Sequence, residues 1–400
     1  MRSKSPLSKR ALSISPSMTL GISAKAKELA ASGVNVVNLS AGEPDFDTPD
    51  NIKDAAKRAI DSGFTKYTAT GGIAELKKAI CEKLRRENGL EYGPKEVLIS
   101  CGAKHSIFNV LLAMCDEGDE VIIPSPYWTS YPEMVKLAGG NPVIVETGDT
   151  GFKITPERLE ASITRKTKIV IINSPCNPTG AVYSGRELEA LGEVLVRHGV
   201  YCISDEIYEK LIYDGLKHVS IASLGRDLRE LTVVINGVSK TYSMTGWRIG
   251  YAAGPAEIIR AMDDVQGHST SNPTSFCQKA ALEALTGDQK SVEMMKAEFE
   301  HRRDYISERL SAMEGIELFR PQGAFYAFAD ISAFIGRSIG GKLVDGSCAF
   351  ADELLSRGKV AVVPGAAFGD DSAIRISFAA SMEEIKNGMD RLENFLNTLK

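Results

Sequence analysis

Short apolar runs alternate with helix-like stretches between residues 95 and 255 of this 400-residue chain. The runs are rich in valine and isoleucine and do not alternate with polar residues, which is typical of strands buried on both faces. This pattern predicts seven strands, at 96–100, 120–124, 142–147, 168–174, 200–205, 231–237 and 249–254.

Two of the stretches between these strands predict helices, at 103–115 and 186–198. In the second, Leu188, Leu191 and Leu195 fall on one stripe, and Gly199 follows the last turn. Strands that alternate with helices indicate an α/β fold with a mainly parallel, seven-stranded sheet. In such sheets ligands bind outside the carboxyl ends of the strands.

The remainder of the chain predicts a second, smaller domain of the α+β class. The charged stretch 288–314 lacks glycine and proline and predicts a long connecting helix. Short strands are expected at 316–319, 324–330, 360–363 and 374–378, with helices at 347–357 and 382–399. We therefore expect an N-terminal arm and part of the small domain at 1–48, a large domain at 49–290, and the small domain at 291–400.

The composition narrows the class of protein. Forty-seven basic and 52 acidic residues give a net charge of −5, which gives no reason to expect a nucleic-acid partner. The seven cysteines are irregularly spaced and form no CxxC pair, which argues against a disulfide framework and a zinc site, so no metal is expected. No apolar run approaches the ~18 residues of a membrane span, so no membrane partner is expected.

The first 27 residues carry six basic residues and many serines but no acidic residue, as transit peptides do. Because no long disposable segment precedes the first expected helix, we interpret them as the arm of a cytoplasmic enzyme. A plastid transit peptide is the alternative interpretation.

Two strand ends carry the clearest chemical signals. Lys240 follows the strand 231–237, and lysine is rarely placed straight after a buried strand without a task. With Ser239 beside it and Arg248 eight residues on, it suits Schiff-base formation with an aldehyde that carries a phosphate. The strand 200–205 ends in Asp205, with Tyr208 close behind, and these suit the ring nitrogen and ring oxygen of pyridoxal phosphate (PLP). A helix N-cap is the alternative role for Asp205.

Further candidates follow three other strands. Gly102, Ala103 and Lys104 begin a helix, where small residues expose backbone N–H groups to a phosphate; a plain turn is the alternative. Trp128 suits stacking on a planar cofactor ring or, alternatively, a plug at a domain interface. Asn177 is held extended before a proline, so that its amide is presented at a strand end.

One arginine stands out in the expected small domain. Arg375 lies mid-strand among apolar residues, and an arginine in such a strand implies a bound anion or an ion pair. Its bidentate guanidinium matches the carboxylate of an amino acid. A structural salt bridge is the alternative.

These motifs, in this order, resemble the class I aminotransferases of the aspartate aminotransferase family, which are PLP-dependent transferases of fold type I. The resemblance runs from about Ser15 to the C-terminus. It rests on Ser-Pro-Cys-Asn-Pro-Thr-Gly at 174–180, Ser-Asp-Glu-Ile-Tyr at 204–208, the segment 239–248, and Arg375. The stretches 39–46 and 102–104 look like the bacterial and plastid subgroup, which includes glutamate/aspartate–prephenate aminotransferases.

The resemblance implies an activity: reversible, ping-pong transfer of the amino group from L-aspartate to 2-oxoglutarate. Formation of arogenate from prephenate is the alternative or a second activity. The partners implied are amino-acid and 2-oxo-acid substrates and a second copy of the chain, in a homodimer with shared active sites.

The resemblance also implies a role for each site residue. Lys240 matches the Schiff-base lysine that also carries protons, Asp205 matches the partner of the ring nitrogen, and Tyr208 matches the donor to the ring 3-oxygen. The other implied positions are Trp128 for ring stacking, Asn177 for the 3-oxygen, Gly102, Ala103, Ser239, Arg248 and a neighbouring subunit's Tyr67 for the phosphate, and Gly42 and Arg375 for the α-carboxylate.

One departure concerns the distal carboxylate of the substrate. The best-known members of the family bind it with a second arginine, which has no clear counterpart near 269–273 in this chain. In the subgroup a lysine at the position of Lys104 is the expected substitute, so Lys104 is a candidate for substrate as well as cofactor. Thr19 falls where prephenate-active relatives also carry a threonine.

Rival functions share parts of this pattern. A PLP lyase, a carbon–carbon ligase and an aminotransferase for another 2-oxo acid all suit the same scaffold, and Arg375 does not exclude them. A PLP-fold transcriptional regulator needs a basic DNA-binding extension, for which 27 N-terminal residues are too few. A nicotinamide dehydrogenase is disfavoured because no G-x-G-x-x-G follows any strand.

Overall fold

A computed structural model gives the structure of residues 6–16, 18–339 and 341–399. The helices of this part of the chain, α1 to α14, are Lys9–Leu12, Met18–Ala31, Asp50–Asp61, Ala74–Asn88, Ala103–Met114, Ser130–Leu137, Pro156–Ser162, Gly185–His198, Arg226–Leu231, Ala256–Gly267, Ser275–Thr286, Lys290–Ser311, Ser347–Glu353 and Met382–Asn397. The strands, β1 to β15, are Val37–Asn38, Val97–Ser100, Glu120–Ser125, Asn141–Glu146, Thr167–Asn173, Tyr201–Asp205, Thr232–Gly237, Gly250–Ala253, Glu317–Leu318, Tyr326–Asp330, Ser338–Ile339, Lys342–Leu343, Val360–Ala361, Val363–Pro364 and Ala373–Ser377.

The largest sheet contains seven strands in the order β2-β8-β7-β6-β5-β3-β4. Pairing is parallel from β4 through β3, β5 and β6 to β7, whereas β8 runs antiparallel to both β7 and β2. All seven strands lie where the apolar runs predicted them, with each end within one residue. The expectation of an α/β fold with a mainly parallel seven-stranded sheet is confirmed.

The absence of polar alternation in these strands has a direct structural cause. Successive residues of β5 belong to two different apolar layers: Ile169 and Ile171 pack in one core cluster, and Val170 and Ile172 pack in another. Since helices cover both faces of the sheet, the four buried central positions of the strand are all apolar. Polar side chains are displaced to the strand ends, where the candidate site residues lie.

A smaller sheet follows the long helix α12. Its strands are antiparallel in the order β14-β15-β10-β9, and Arg375 lies in β15 opposite Phe328 of β10. Separately, β1 pairs with β13 in parallel, which ties the segment before α3 to residues near the C-terminus. The smaller α+β unit expected from the sequence is confirmed.

One strand prediction is wrong in detail. The run 360–363 was expected to form one strand, but it forms β13 and β14, which belong to different sheets. Val360 and Ala361 pair with β1, whereas Val363 pairs with Arg375 in β15. All of these residues are buried, so their apolar character could not reveal the change of partner.

One core cluster joins the two sheets. The segment after β6, with Ile207, Tyr208 and Leu211, packs in this cluster with Phe325 and Tyr326 at the start of β10. The helices α12 and α14 contribute to the same cluster. The carboxyl end of the large sheet therefore lies against the small sheet. In the part of the chain that the structure describes, no helix is long and apolar enough to cross a membrane.

Candidate active site

The carboxyl ends of β2, β3, β5, β6 and β7 open into a cavity of about 1240 Å³. The small sheet and the N-terminal segment close its other side. The cavity collects eleven of the residues expected at the site, namely Gly42, Ala103, Lys104, Trp128, Asn177, Asp205, Tyr208, Ser239, Lys240, Arg248 and Arg375.

Lys240 enters the cavity from the turn that follows β7. Its Nζ donates a hydrogen bond of 2.5 Å to the carbonyl oxygen of Gly42 and lies 5.8 Å from the centre of the Phe325 ring. Burial lowers the pKa of the Lys240 ammonium to about 8, and the nearby guanidinium groups of Arg375 and Arg248 act in the same direction. A lysine with this pKa holds a useful fraction of neutral, nucleophilic amine near neutral pH.

Asp205, the last residue of β6, is a buried carboxylate. One oxygen accepts a hydrogen bond of 2.7 Å from the hydroxyl of Tyr131, and the other accepts one of 3.3 Å from the backbone N–H of Ile207. Burial raises the pKa of Asp205 to about 6, although the bond from Tyr131 acts in the opposite direction. Among the described residues no arginine or lysine forms an ion pair with it, so the carboxylate lacks a cationic partner.

Tyr208 lies one turn beyond Asp205 and is also buried. Its hydroxyl oxygen is 3.0 Å from that of Tyr326 in β10, and either group can be the donor. Burial raises the pKa of Tyr208 far above its ordinary value, so the phenol stays protonated and can donate a hydrogen bond.

The first turn of α5 and Arg248, two residues before β8, form a cradle of donors. Gly102 has a φ of +91°, which favours glycine, and a Cβ there would lie 2.5 Å from Nη2 of Arg248 and would displace the guanidinium from the cradle. The backbone of Arg248 is itself left-handed, with a φ of +57°. Within the described residues, the N–H groups of Ala103 and Lys104 have no hydrogen-bond partner. Such a helix start beside an arginine favours a phosphate.

Trp128 and Lys104 lie together on one wall of the cavity. The Nζ of Lys104 is 5.0 Å from the centre of the Trp128 ring, whose edge meets the ring of Tyr131. Burial lowers the pKa of Lys104, and the positive charge of Arg248 lowers it further. None of the described acidic side chains forms an ion pair with Lys104, so its charge is available to a ligand.

Arg375 is buried, with an exposure of 3%, and has no acidic partner among the described residues. Its guanidinium donates to the side-chain oxygen of Asn177 at 3.0 Å and to the carbonyl oxygen of Ser40 at 2.9 Å. Its buried Nε–H finds no hydrogen-bond partner in the described part of the chain. Burial lowers the pKa of this guanidinium, because its charged form is desolvated and no described carboxylate offsets that cost. The structural salt bridge considered as an alternative role is therefore wrong.

Tyr67 does not line this cavity. Its side chain is 92% exposed, whereas most aromatic residues of the chain are buried or partly buried. The role expected for Tyr67 lies in a neighbouring subunit's site and stays a prediction.

Comparison with known proteins settles the family. The profile described as "Aminotransferase class I and II" matches residues 34–392. The chain belongs to this family. The family expected from the motifs is thereby confirmed.

Similar aminotransferases cover nearly the whole chain. An aspartate aminotransferase of Geobacillus stearothermophilus is 52% identical over 391 residues, which are 98% of each chain. An aspartate/prephenate aminotransferase of Cereibacter sphaeroides is 54% identical over 385 residues, which are 96% of each. The solved structure of an aspartate aminotransferase from Thermus thermophilus with maleate superposes with a TM-score of 0.91 at 45% identity, covering 97% of this chain and 99% of the other.

The aminotransferase family implies PLP, and the cavity fits this group. A protonated pyridine nitrogen would supply the cation that Asp205 lacks, and the cradle at Gly102 and Arg248 would hold a phosphate. Lys240 is the available amine for an aldehyde. The unpartnered Nε–H of Arg375 would remain for the carboxylate of a substrate.

Two residues of this aminotransferase site were not found from the sequence. Tyr131 bonds to Asp205, and Tyr326 meets Tyr208. A signal existed for Tyr326, because its hydroxyl stands in the otherwise apolar run Ala324 to Ala329 and a buried hydroxyl needs a partner. Tyr131 stands among Ser130, Pro132 and Glu133 and gave no such signal.

Proposed function

We propose that this protein is a PLP-dependent aspartate aminotransferase, which reversibly transfers the amino group of L-aspartate to 2-oxoglutarate by a ping-pong mechanism. The observation that carries the proposal is that one cavity brings together a buried carboxylate, a buried guanidinium and a lysine whose pKa is lowered. Among the described residues, none gives Asp205 a cationic partner or Arg375 an anionic one, and burial lowers the pKa of Lys240 to about 8. PLP and an amino-acid carboxylate together satisfy all three.

Bound PLP supplies an electron sink for negative charge at Cα of the amino acid. Asp205 would keep the ring nitrogen protonated, and the hydroxyl of Tyr208 and the amide of Asn177 would hold the ring 3-oxygen. Trp128 would stack on the ring. The phosphate would be bound by Gly102, by the backbone N–H groups of Ala103 and Lys104, by Ser239 and Arg248, and by Tyr67 of a second subunit.

Lys240 would serve both as the covalent anchor and as the proton carrier. As a neutral amine it would take the proton from Cα of the amino acid, and as an ammonium it would donate that proton to the C4′ carbon of the cofactor. Its pKa of about 8 suits both directions of transfer, because a general base works best when its pKa is near the working pH. The wall beneath its Nζ, formed by Phe325, would keep water from this proton.

Arg375 would bind the α-carboxylate of every substrate through a pair of parallel hydrogen bonds. Gly42, Asn177 and Trp128 line the same part of the cavity and would complete this subsite. Lys104 would bind the distal carboxylate of aspartate or 2-oxoglutarate, since its charge has no acidic partner in the described part of the chain. The Thermus thermophilus relative was solved with maleate, which is likewise a dicarboxylate.

A second candidate activity is amino transfer to prephenate. The observation that favours it is the position of Thr19, which lines the cavity on the N-terminal side. The Cereibacter sphaeroides relative carries both activities in its name. A PLP lyase and an aminotransferase for another 2-oxo acid are more remote, because neither requires the charge of Lys104.

We also propose a homodimer in the cytoplasm. The exposed ring of Tyr67 supports a role across a subunit boundary. For one subunit we propose a large domain at 49–290 and a small domain at 291–400, to which residues 1–48 contribute. The pairing of β1 with β13 supports this division.

The proposed activity can be tested in single half-reactions. Purified enzyme loaded with PLP is mixed with L-aspartate, and the cofactor absorbance should change to that of the amine form. Added 2-oxoglutarate should restore the first spectrum, and prephenate should do so if the second activity is present. An unchanged spectrum with aspartate and glutamate, but a response to a neutral or aromatic amino acid, would contradict the assignment of acidic substrates.

A further inference from the structure

Tyr326 contacts two halves of the site at once. It opens β10 and is only 1% exposed. Its hydroxyl oxygen is 3.0 Å from that of Tyr208, and its ring lies under the guanidinium of Arg375 at 4.2 Å from the ring centre. The backbone at Gly42 comes so close that a Cβ there would lie 3.3 Å from the Tyr326 hydroxyl.

We propose that Tyr326 is a positioning residue, whose hydroxyl directs the O–H of Tyr208 toward the cofactor and whose ring holds Arg375 in place for the substrate carboxylate. This inference rests on the proposed function. It extends that function, since it couples the cofactor subsite to the carboxylate subsite through one side chain.

The proposed role of the Tyr326 hydroxyl follows from the number of hydrogens that the two phenols carry. Two neutral phenols in contact share one hydrogen between their oxygens, so one of them donates and the other accepts. Burial raises the pKa of both Tyr208 and Tyr326, and both therefore remain neutral. When Tyr326 donates, the single hydrogen of Tyr208 is free to point at an acceptor in the cavity. Hydrogen bonds arranged in such a chain also polarise and strengthen one another.

The proposed role of the Tyr326 ring follows from the groups that surround Arg375. Its guanidinium has two neutral oxygen acceptors and no described carboxylate, so its charge is balanced mainly by aromatic faces. The ring centre of Tyr326 is 4.2 Å from the guanidinium carbon, and that of Phe368 is 4.9 Å from it. Aromatic faces attract a cation and restrict the plane of a guanidinium. Tyr326 therefore orients the group that receives the α-carboxylate.

The hydroxyl can be tested by the pH dependence of the visible absorbance of the holoenzyme. A donor to the negatively charged ring oxygen stabilises the deprotonated form of the Lys240–cofactor linkage and so lowers its titration midpoint. We expect Tyr208→Phe to raise the midpoint by about 1 pH unit and Tyr326→Phe to raise it by roughly a third of that. In the double variant with Tyr208→Phe, Tyr326→Phe should cause no further shift of the midpoint, because the Tyr326 hydroxyl acts through Tyr208.

Tyr213→Phe is the matched control, because Tyr213 is another buried tyrosine of the same core cluster whose hydroxyl donates to the carbonyl of Ala324 away from the cavity. It should leave the midpoint unchanged. An unchanged midpoint in Tyr326→Phe, or an equal shift with and without Tyr208, would overturn the hydroxyl role. If the Tyr326→Phe protein fails to fold, Tyr326→Leu must show the same midpoint shift.

The ring can be tested by separating KM from kcat. Tyr326→Phe keeps the aromatic face, so KM for L-aspartate should stay within about twofold while kcat falls. Tyr326→Leu removes the face and should raise KM roughly tenfold, the scale of a partly desolvated cation–π contact. Equal KM values in the two variants would overturn the ring role. If the wild-type enzyme shows no cofactor absorbance at all, the proposed function itself fails, and this inference fails with it.

Discussion

The hydroxyl of Tyr131 donates a 2.7 Å hydrogen bond to Oδ2 of Asp205 at the base of the cavity. The two residues belong to different elements, the helix α6 after β3 and the end of β6. This bond stabilises the ionised form of a carboxylate whose burial favours the neutral form. Tyr131 thereby helps to keep Asp205 charged for a protonated ring nitrogen.

Tyr131→Phe should weaken cofactor binding selectively at acid pH. Only ionised Asp205 can pair with the ring nitrogen, so affinity for PLP should fall as pH drops through the pKa of Asp205, near 6 in the wild type. Loss of the Tyr131 bond raises this pKa by roughly one unit, since a hydrogen bond to a charged group is worth about 1.5 kcal/mol. Fluorescence titration of the apoprotein with PLP between pH 5 and 8 measures the break point, which is the pH below which the affinity for PLP falls.

Tyr183→Phe is the control for this experiment. Tyr183 is buried too, but its hydroxyl accepts a hydrogen bond from the backbone of Ile154 outside the cavity. Its substitution should leave the break point where it is. A break point that moves equally in both variants would show that the effect does not pass through Asp205.

Asp205→Ala should preserve the fold and keep the part of the PLP affinity that the phosphate cradle and Lys240 supply, so that it binds PLP about as the wild type does below the pKa of Asp205. Its turnover should fall at least ~100-fold, which is the scale of a lost preorganised electrostatic contact. The physical reason is that the ring nitrogen loses the charge that keeps it protonated. Steady-state rates at saturating PLP, with circular dichroism for the fold, measure the effect. Turnover close to that of the wild type would refute the role of this carboxylate.

Much of the fold could be predicted because burial on both faces leaves a direct mark on the sequence. The central residues of β5, Ile169 to Ile172, have no solvent face and are all apolar, and polar side chains mark the two ends of the strand. The same reasoning located Lys240 and Asp205, because a charge directly after such a strand must face a cavity. The change of pairing partner between β13 and β14, on either side of Val362, has no signature in the sequence, since both strands are equally buried.

Tyr131 and Tyr326 could not be predicted because their partners are distant in the chain. Tyr131 meets Asp205 across 74 positions, and Tyr326 meets Tyr208 across 118. Each buried hydroxyl needs a partner, but the choice of partner depends on how α6 and β10 pack against β6. Only the assembled fold determines that choice.

Lys104→Ala should change substrate preference and leave the basic reaction intact. The value of kcat/KM for aspartate and glutamate should fall by roughly 1.5–3 kcal/mol, the cost of a lost charged hydrogen bond, while that for alanine stays nearly constant. A point charge on a flexible stem can meet carboxylates at different positions. Half-reaction rates with the three amino acids measure the effect.

Lys136→Ala is the matched control, because Lys136 also lines the cavity but its charge is paired with Glu133 at 2.8 Å. It should leave the preference unchanged. If Lys104→Ala lowers kcat/KM for aspartate and for alanine equally, the side chain of Lys104 binds the phosphate or stabilises the fold. The proposal of acidic substrates is then refuted.

Tyr67 provides a test of the shared site. Tyr67→Asp would place a negative charge against the phosphate of the neighbouring subunit and should inactivate the enzyme, as Lys240→Ala should. When the two inactive proteins are unfolded, mixed and refolded together, each hybrid dimer regains one intact site, so activity should return to about one quarter of the wild-type value. Complete failure of complementation, or full activity in a monomer at nanomolar concentration, would refute the shared site.

Lys240 is the residue that we propose binds the cofactor covalently. Its amine is the one with a pKa lowered to about 8 at the end of β7, in contact with the carbonyl oxygen of Gly42. Borohydride reduction of the PLP-loaded enzyme, followed by peptide mapping with mass spectrometry, should place the cofactor tag on Lys240 and yield no tag in Lys240→Ala. A tag on Lys104 or any other lysine, or an untagged wild-type protein, would contradict the account.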